Sequence, residues 1–196
     1  MNKDLPLYID YCSYEASKYA VFHYHYSRAM PSGKLVRFGV WEHGEFIGVV
    51  IFGTGACYNM SNIIKATNYE VCELVRVALN SHKSTVSKIV SFCLKKLKKD
   101  FPNLKAIISY ADPRQGHKGK IYQAMNWTYL GVTNAATHFI KNGKIHHSRS
   151  VNEKRRTIKG FDMSQFEKIK TFKHKYIYLY DKKLFEYVEN IVKDYP

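Results

Sequence analysis

The stretch Ile107-Ile-Ser-Tyr-Ala-Asp-Pro-Arg-Gln-Gly-His-Lys-Gly-Lys-Ile-Tyr-Gln-Ala-Met-Asn-Trp-Thr-Tyr-Leu-Gly131 decides how the rest of the chain is read. Ala106 to Tyr110 is an apolar run of the length of a buried strand. Asp112-Pro113 stops it, because proline cannot donate to a ladder and restricts the residue before it. Ile121, Ala124 and Met125 then recur at helical spacing between Lys118 and Met125. Asn126-Trp127 leads into Tyr129-Leu130-Gly131, the start of another strand. Strand, polar loop, short helix and strand place the loop side chains at one end of a sheet, where reactive groups are commonly displayed.

Upstream, Tyr69 to Leu79 reads as a central strand with Glu73 and Arg76 as its charged exceptions. Arg76 is expected either to meet phosphate or to pair with Glu73 or Glu70. Ser84-Thr85 can cap the helix that follows. That helix sets Val86, Ile89, Val90, Cys93, Leu94 and Leu97 on one face and Lys88, Lys95, Lys96, Lys98 and Lys99 largely on the other, the amphipathic pattern of a helix docked on a core. Leu35 to Trp41 and Phe46 to Phe52 form a hairpin across Glu42-His43-Gly44-Glu45. Gly53-Thr54-Gly55 is a loop and not a phosphate cradle, since no helix opens behind it; residues 56 to 69 read as irregular. At the start, Leu5 to Ile9 is strand-like and Tyr11 to Phe22 is helical, entered at Ser13. His23-Tyr24-His25-Tyr26-Ser27-Arg28 follows, dense in acid/base and hydrogen-bonding groups.

Downstream, Thr137 to Ile140 and Ile145 to Ser150 pair across Lys141-Asn142-Gly143-Lys144, Asn-Gly being the usual tight turn. Lys175 to Asp181 alternates with period two, and Lys183 to Val192 reads as a terminal helix. The sum is an α/β (mixed α+β) fold: one domain over residues 1–196, with a mixed, mostly antiparallel central sheet and helices on both faces.

Composition bounds the partners. With 31 Lys and Arg against 16 Asp and Glu, the formal charge is +15, far beyond what solubility needs, so a polyanion is the expected partner. The basic residues concentrate between 141 and 175, including Arg149, Lys154, Arg155 and Arg156, spread through polar sequence as a phosphate-tracking surface requires. Cys12, Cys57, Cys72 and Cys93 form no C-x-x-C pair, which favours a reducing cytosol. The longest apolar run, Ile47 to Phe52, is too short to cross a bilayer. An anionic membrane surface is the weaker competitor to nucleic acid, since no Lys/Arg-rich amphipathic helix with a broad apolar face stands out, and no membrane partner is expected. His146-His147 and the other histidines lack ligand spacing with Cys or carboxylates, so no metal is expected.

The element order resembles the GNAT (N-acetyltransferase-like) fold, and within it the chain is similar to the phage Mom-type proteins. The words that carry the resemblance are Tyr26-Ser27-Arg28 with Met30-Pro31, Phe38-Gly39-Val40-Trp41 with Phe46-Ile47-Gly48, Cys72-Glu73-Leu74-Val75-Arg76-Val77, Ala111-Asp112-Pro113 with Gln115-Gly116-His117, and Ile121-Tyr122-Gln123. The likeness runs from about residue 20 to residue 150. The resemblance implies a phage enzyme of the bacterial host cytoplasm that places a carbamoylmethyl group on adenine N6 in double-stranded DNA and so blocks restriction. It implies Asp112, Tyr122, Tyr26 and Ser109 as catalytic candidates: Asp112 as base or acceptor for the amino group, Tyr122 as acid for the leaving group. His25 and His117 stand behind them. The plain alternatives are a turn cap for Asp112 and a packed core aromatic for Tyr122. Arg28, Arg76, Ser84, Thr85 and His117 are candidates for the donor, and Lys118 and Lys120 join the basic residues as candidates for nucleic acid.

One departure bears on the donor. Acyl-CoA enzymes of this fold hold the pyrophosphate on a Gly-rich turn before the helix that follows the central strand, and here that place reads Ser81-His82-Lys83-Ser84-Thr85-Val86-Ser87, with no Gly. Product chemistry points the same way. A transferred acetyl group lacks the nitrogen of the product, whereas a glycyl group is its isomer and reaches it by rearrangement, so glycyl-tRNA is favoured over acetyl-CoA as donor. A base swung out of the stack would sit on aromatics such as Tyr24, Tyr26 or Trp127. Two other readings remain: an acyl-CoA N-acyltransferase acting on a protein or small-molecule amine, and a non-catalytic nucleic-acid-binding module.

Overall fold

The computed structural model describes residues 6–54 and 58–196. In chain order the elements are β1 (Leu7–Tyr11), α1 (Tyr14–Tyr24), β2 (Leu35–Glu42), β3 (Glu45–Gly53), α2 (Tyr58–Ile63), β4 (Val71–Leu79), α3 (Val86–Asp100), β5 (Ala106–Ala111), α4 (Lys120–Gln123), β6 (Thr128–Val132), β7 (Ala136–Lys141), β8 (Lys144–His147), α5 (Ser148–Thr157), β9 (Glu167–Thr171) and β10 (His174–Leu179). The main sheet has seven strands in the order β1-β2-β3-β4-β5-β10-β6. Its neighbours are antiparallel except β4 and β5, which run parallel.

Period-two alternation divides the core between two faces. Val50 and Phe52 point into the cluster formed with Ile89, Val90, Cys93, Leu94 and Leu97 of α3. Their neighbours Val49 and Ile51 point the other way, onto Ala20 and Val21 of α1. Ile64 and Val188 cover Val71, Ala106, Ile108 and Ile177 on a third cluster. Helices start where their caps place them: the Ser13 hydroxyl accepts from Ala16 N at 3.1 Å and the Thr85 hydroxyl from Lys88 N at 3.3 Å. The tight hairpins at His43-Gly44 (φ 49°, 83°) and Asn142-Gly143 (φ 50°, 70°) each carry two successive left-handed residues, which matches the strand twist.

Several expectations are revised. Residues 58–63 form a helical turn where irregular chain was expected, and the return strand expected over Ile145–Ser150 stops at His147 and becomes α5. Thr137–Ile140 does not extend the main sheet; β7 lies between β8 and β9 in a separate three-stranded sheet. The expected terminal helix is two 3-10 turns, Lys182–Tyr187 and Glu189–Ile191, the first capped by Asp181. The expected N-terminal strand begins at Leu7; its first residue, Leu5, lies outside the described residues, as do Gly55 of the loop reading and Cys57.

The feature that positions the site is the β4/β5 pair. Their register is Val71–Ala106, Cys72–Ile107 and Glu73–Ile108, and pairing goes no further. Beyond it β4 continues to Leu79 and β5 to Ala111, so the two strands part and the sheet opens.

Candidate active site

Where the strands part, the Leu74 carbonyl has no ladder partner on β5, and the buried Ser109 hydroxyl takes that place, donating to it at 2.9 Å. The Tyr122 hydroxyl lies 2.7 Å from Ser109 Oγ. A carbonyl only accepts, so the single Ser109 proton goes to Leu74 and Tyr122 is the donor to Ser109. Burial pushes the Tyr122 phenol up to about 12, keeping it protonated at neutral pH. Its ring is wedged between Trp127 and Tyr176, each with its centroid 5.0 Å away. The loop reaches α4 through Gly119 at φ 80°, where a Cβ would lie 2.4 Å from the Tyr176 ring, so only glycine fits.

Tyr122 forms part of the wall of a cleft of about 500 Å³. The other walls are Tyr24, His25 and Tyr26 from the end of α1, Leu74 to Val77 of β4, Tyr110 and Ala111 of β5, and Gly116 to Ile121 of the loop and α4. Tyr26 is 52% exposed, with His25 against one side of its ring at 4.3 Å between centroids and His117 at 5.9 Å. Burial is the largest influence raising the Tyr26 phenol, followed by the Asp112 charge. His25 is held down to about 4 by burial first, then by Arg76 and by its neighbour His117, so its ring is neutral at physiological pH.

Asp112 is 4% exposed and sits behind this wall, not in it. It caps the turn Pro113–Gln115 and takes a two-point ion pair from Arg114, Nε to Oδ1 at 2.9 Å and Nη2 to Oδ2 at 2.6 Å. Burial pushes its carboxyl up, but the Arg114 bonds and charge outweigh that and leave it below its ordinary value. The arrangement is that of the turn cap.

The other candidates divide as follows. Arg76 lines the cleft, donates Nη1 to Val75 O at 2.7 Å, and has a buried Nε with no partner among the described residues. The expected pairing with Glu70 does not occur, since Glu70 bonds Lys105 at 2.8 Å. Arg28 is exposed, with φ 46°, and does not line the cleft. His117, Lys118 and Lys120 do, at its rim. Trp127 is fully buried against Tyr122 and Tyr178, so it cannot stack on a base. Lys154, Arg155 and Arg156 are exposed in the last turn of α5; the side chain of Arg149 lies outside the described residues. Among the described residues no group of three or more His, Cys, Asp or Glu could hold a metal ion.

Ser84 and Thr85 raise the question of a donor phosphate. The loop before α3 already holds an anion of its own: Glu42, 6% exposed at the end of β2, accepts from Lys83 N at 2.6 Å and Ser84 N at 2.7 Å. Sequence reasoning missed this residue, because nothing local to β2 marks a contact with a loop 41 residues away. Thr85 is spent on capping α3. A pyrophosphate on these two amides and the Glu42 carboxylate exclude one another.

A sheet opened between parallel β4 and β5, with a buried phenol at the opening, defines a GNAT-type acyltransferase fold. The aminoglycoside acetyltransferase AAC(6')-Ib in complex with coenzyme A and kanamycin superposes with a TM-score of 0.54 and 10% identity, over 93% of this chain and 99% of that one. Ribosomal-protein-S5-alanine acetyltransferase from Vibrio fischeri gives 0.53 and 11%, over 91% and 95%. The chain itself belongs to the Mom protein family, whose model matches residues 6–196. It is 26% identical over 132 residues to the methylcarbamoylase Mom of Escherichia phage Mu; the match takes in 65% of this chain and about half of that relative, 54%. Among the described residues no helix is long and apolar enough to cross a membrane.

Proposed function

We propose that this protein modifies adenine in double-stranded phage DNA to N6-carbamoylmethyladenine, as an anti-restriction enzyme, by glycyl transfer to N6 followed by rearrangement. The observation that carries the reading is the neutral Tyr122 phenol, held by Ser109 where β4 and β5 part and forming the wall of a cleft with a basic rim. Family membership supports the substrate, and the charge of +15 supports nucleic-acid partners.

The adenine base swings out of the stack and rests on Tyr24 and Tyr26. Its N6 attacks the carbonyl carbon of a glycyl ester, as glycyl-tRNA carries, and the bond to the ribose oxygen breaks. Tyr122 turns its O–H away from Ser109 to give that oxygen a proton, and the proton lost from N6 restores the phenol. The product, N6–CO–CH2–NH2, is an isomer of the carbamoylmethyl group. Attack of its free amine on C6 closes a five-membered ring, and release of the original amide nitrogen leaves N6–CH2–CO–NH2 with no atom gained or lost. Asp112 contributes by fixing Arg114 and the turn that carries His117 to Lys120. Lys118 and Lys120 at the rim, with Lys154, Arg155 and Arg156 on α5, hold the phosphate backbones.

The test is incubation of the purified protein with duplex DNA and isotopically labelled glycyl-tRNA, against labelled acetyl-CoA. Label entering DNA from glycyl-tRNA alone is expected. Label arriving only from the CoA ester rejects the glycyl donor, and acylation of a small amine with none on DNA favours the acyl-CoA N-acyltransferase reading.

A further inference from the structure

We infer that His25 acts in the transfer step as a hydrogen-bond donor through Nε2–H, and not as a base, holding the carbonyl oxygen of the acyl donor as negative charge develops on it. This rests on the acyl transfer proposed above. The starting point is the end of α1. His25 is its C-cap, with extended backbone (φ −109°, ψ 136°), and the chain turns so that the Ser27 backbone N–H donates to His25 Nδ1 at 3.1 Å. An amide N–H can only donate, so Nδ1 must present its lone pair. A neutral imidazole carries one proton, which therefore sits on Nε2. The Ser27 hydroxyl, 2.8 Å from the same Nδ1, can donate to that lone pair as well.

The groups facing the ring keep it neutral. Burial opposes a second proton most, Arg76 from β4 and His117 from the loop after β5 add to it, and Tyr26 covers one face. A ring that stays neutral with Nε2 protonated has no lone pair on that nitrogen with which to take a proton from N6. It has instead an N–H to donate, on a residue that lines the same cleft as Tyr122. In the step, N6 bonds to the acyl carbon and the carbonyl π pair moves onto oxygen. That oxygen accepts from Nε2–H without taking the proton. When the pair returns, the bond to the leaving oxygen breaks and Tyr122 protonates it. Ser27 is then a positioning residue, fixing the tautomer through Nδ1.

Two measurements test this. Nitrogen-15 NMR of the wild-type protein reads the tautomer directly: a non-protonated Nδ1 and a protonated Nε2 across neutral pH are expected, and a proton on Nδ1 overturns the inference. Kinetics read the role. His25→Ala should lower kcat about 10²–10³-fold, the loss seen when one oxyanion donor is removed, with KM little changed. His25→Gln, whose amide N–H takes the place of Nε2–H, should recover much of that loss. The pH profiles of wild type and His25→Gln should have the same shape. A limb near neutral pH that vanishes in both variants, or a glutamine variant as slow as the alanine one, means that His25 is a base and sinks the inference. If the wild-type protein transfers nothing to DNA, the proposed function fails, while the tautomer measurement still decides the state of His25 by itself.

Discussion

Replacing Glu42 by glutamine separates a carboxylate clamp from a merely buried side chain. The shape is preserved, but one oxygen that accepts from a backbone N–H becomes an NH2 that faces it. One of the two bonds to Lys83 N and Ser84 N survives with a neutral acceptor, and one amide is left without a partner. An unsatisfied buried donor costs about 1–3 kcal/mol. For a chain of this size each kcal/mol moves the Tm by roughly 2–4 °C, so Glu42→Gln should lower it by roughly 2–12 °C. Thermal and urea unfolding at neutral pH measure the loss. The sign of its pH dependence is set by the clamp. Burial pushes the carboxyl up, but the bonds from Ser84 and Lys83 outweigh it and leave the folded pKa below the ordinary value. The stabilisation is therefore complete above the unfolded carboxylate pKa and is lost as pH falls through the lowered folded one, so the gap between wild type and variant should close in acid. Equal stability at neutral pH, or a gap that persists unchanged into acid, refutes the clamp. The same geometry predicts that Glu42→Gly, by vacating both amides, strengthens acetyl-CoA binding over wild type; unchanged affinity by calorimetry would show that the carboxylate is no barrier.

Gly119→Ala places a methyl group against the Tyr176 ring at a left-handed backbone position, and should cost more than about 1 kcal/mol in denaturant unfolding; a neutral outcome would mean the loop is not held as described. Tyr122→Phe leaves the Ser109 bond to Leu74 intact, so it should fold normally while transfer to DNA drops about 10²–10⁴-fold, the range of a lost general acid. Retained activity in a single-turnover assay would remove Tyr122 from the chemistry. Replacing Lys154, Arg155 and Arg156 together by alanine should weaken DNA binding and reduce the slope of log affinity against log salt by roughly one for each phosphate no longer neutralised; an unchanged slope would take α5 off the DNA.

Much of this fold can be read from residue patterns because the relevant signals are local. The stripe from Val86 to Leu97, the Asn142-Gly143 turn and the alternation of Lys175 to Leu179 each give away their element within a dozen residues. α5 cannot be read that way: in Ser148–Thr157 the sole apolar residue is Val151, so no stripe exists to reveal a helix. The site divides along the same line. Tyr122 stands at a recognisable place in a short helix, and the structure puts its hydroxyl on Ser109. Asp112 carries two local readings, base and cap, and the choice between them rests on a side chain two positions on, Arg114, whose fork a sequence does not orient. Glu42 lies beyond reach because its role comes from packing β2 against the loop before α3, a tertiary event with no periodicity.

The most direct measurement is mass spectrometry of nucleosides digested from the DNA of bacteria producing this protein. The account predicts a deoxyadenosine heavier by one carbamoylmethyl group in cells producing the wild-type chain, and its loss when an equal amount of folded Tyr122→Phe is produced. Unmodified deoxyadenosine with wild type, or the same modified nucleoside at equal yield from the phenylalanine variant, would contradict it.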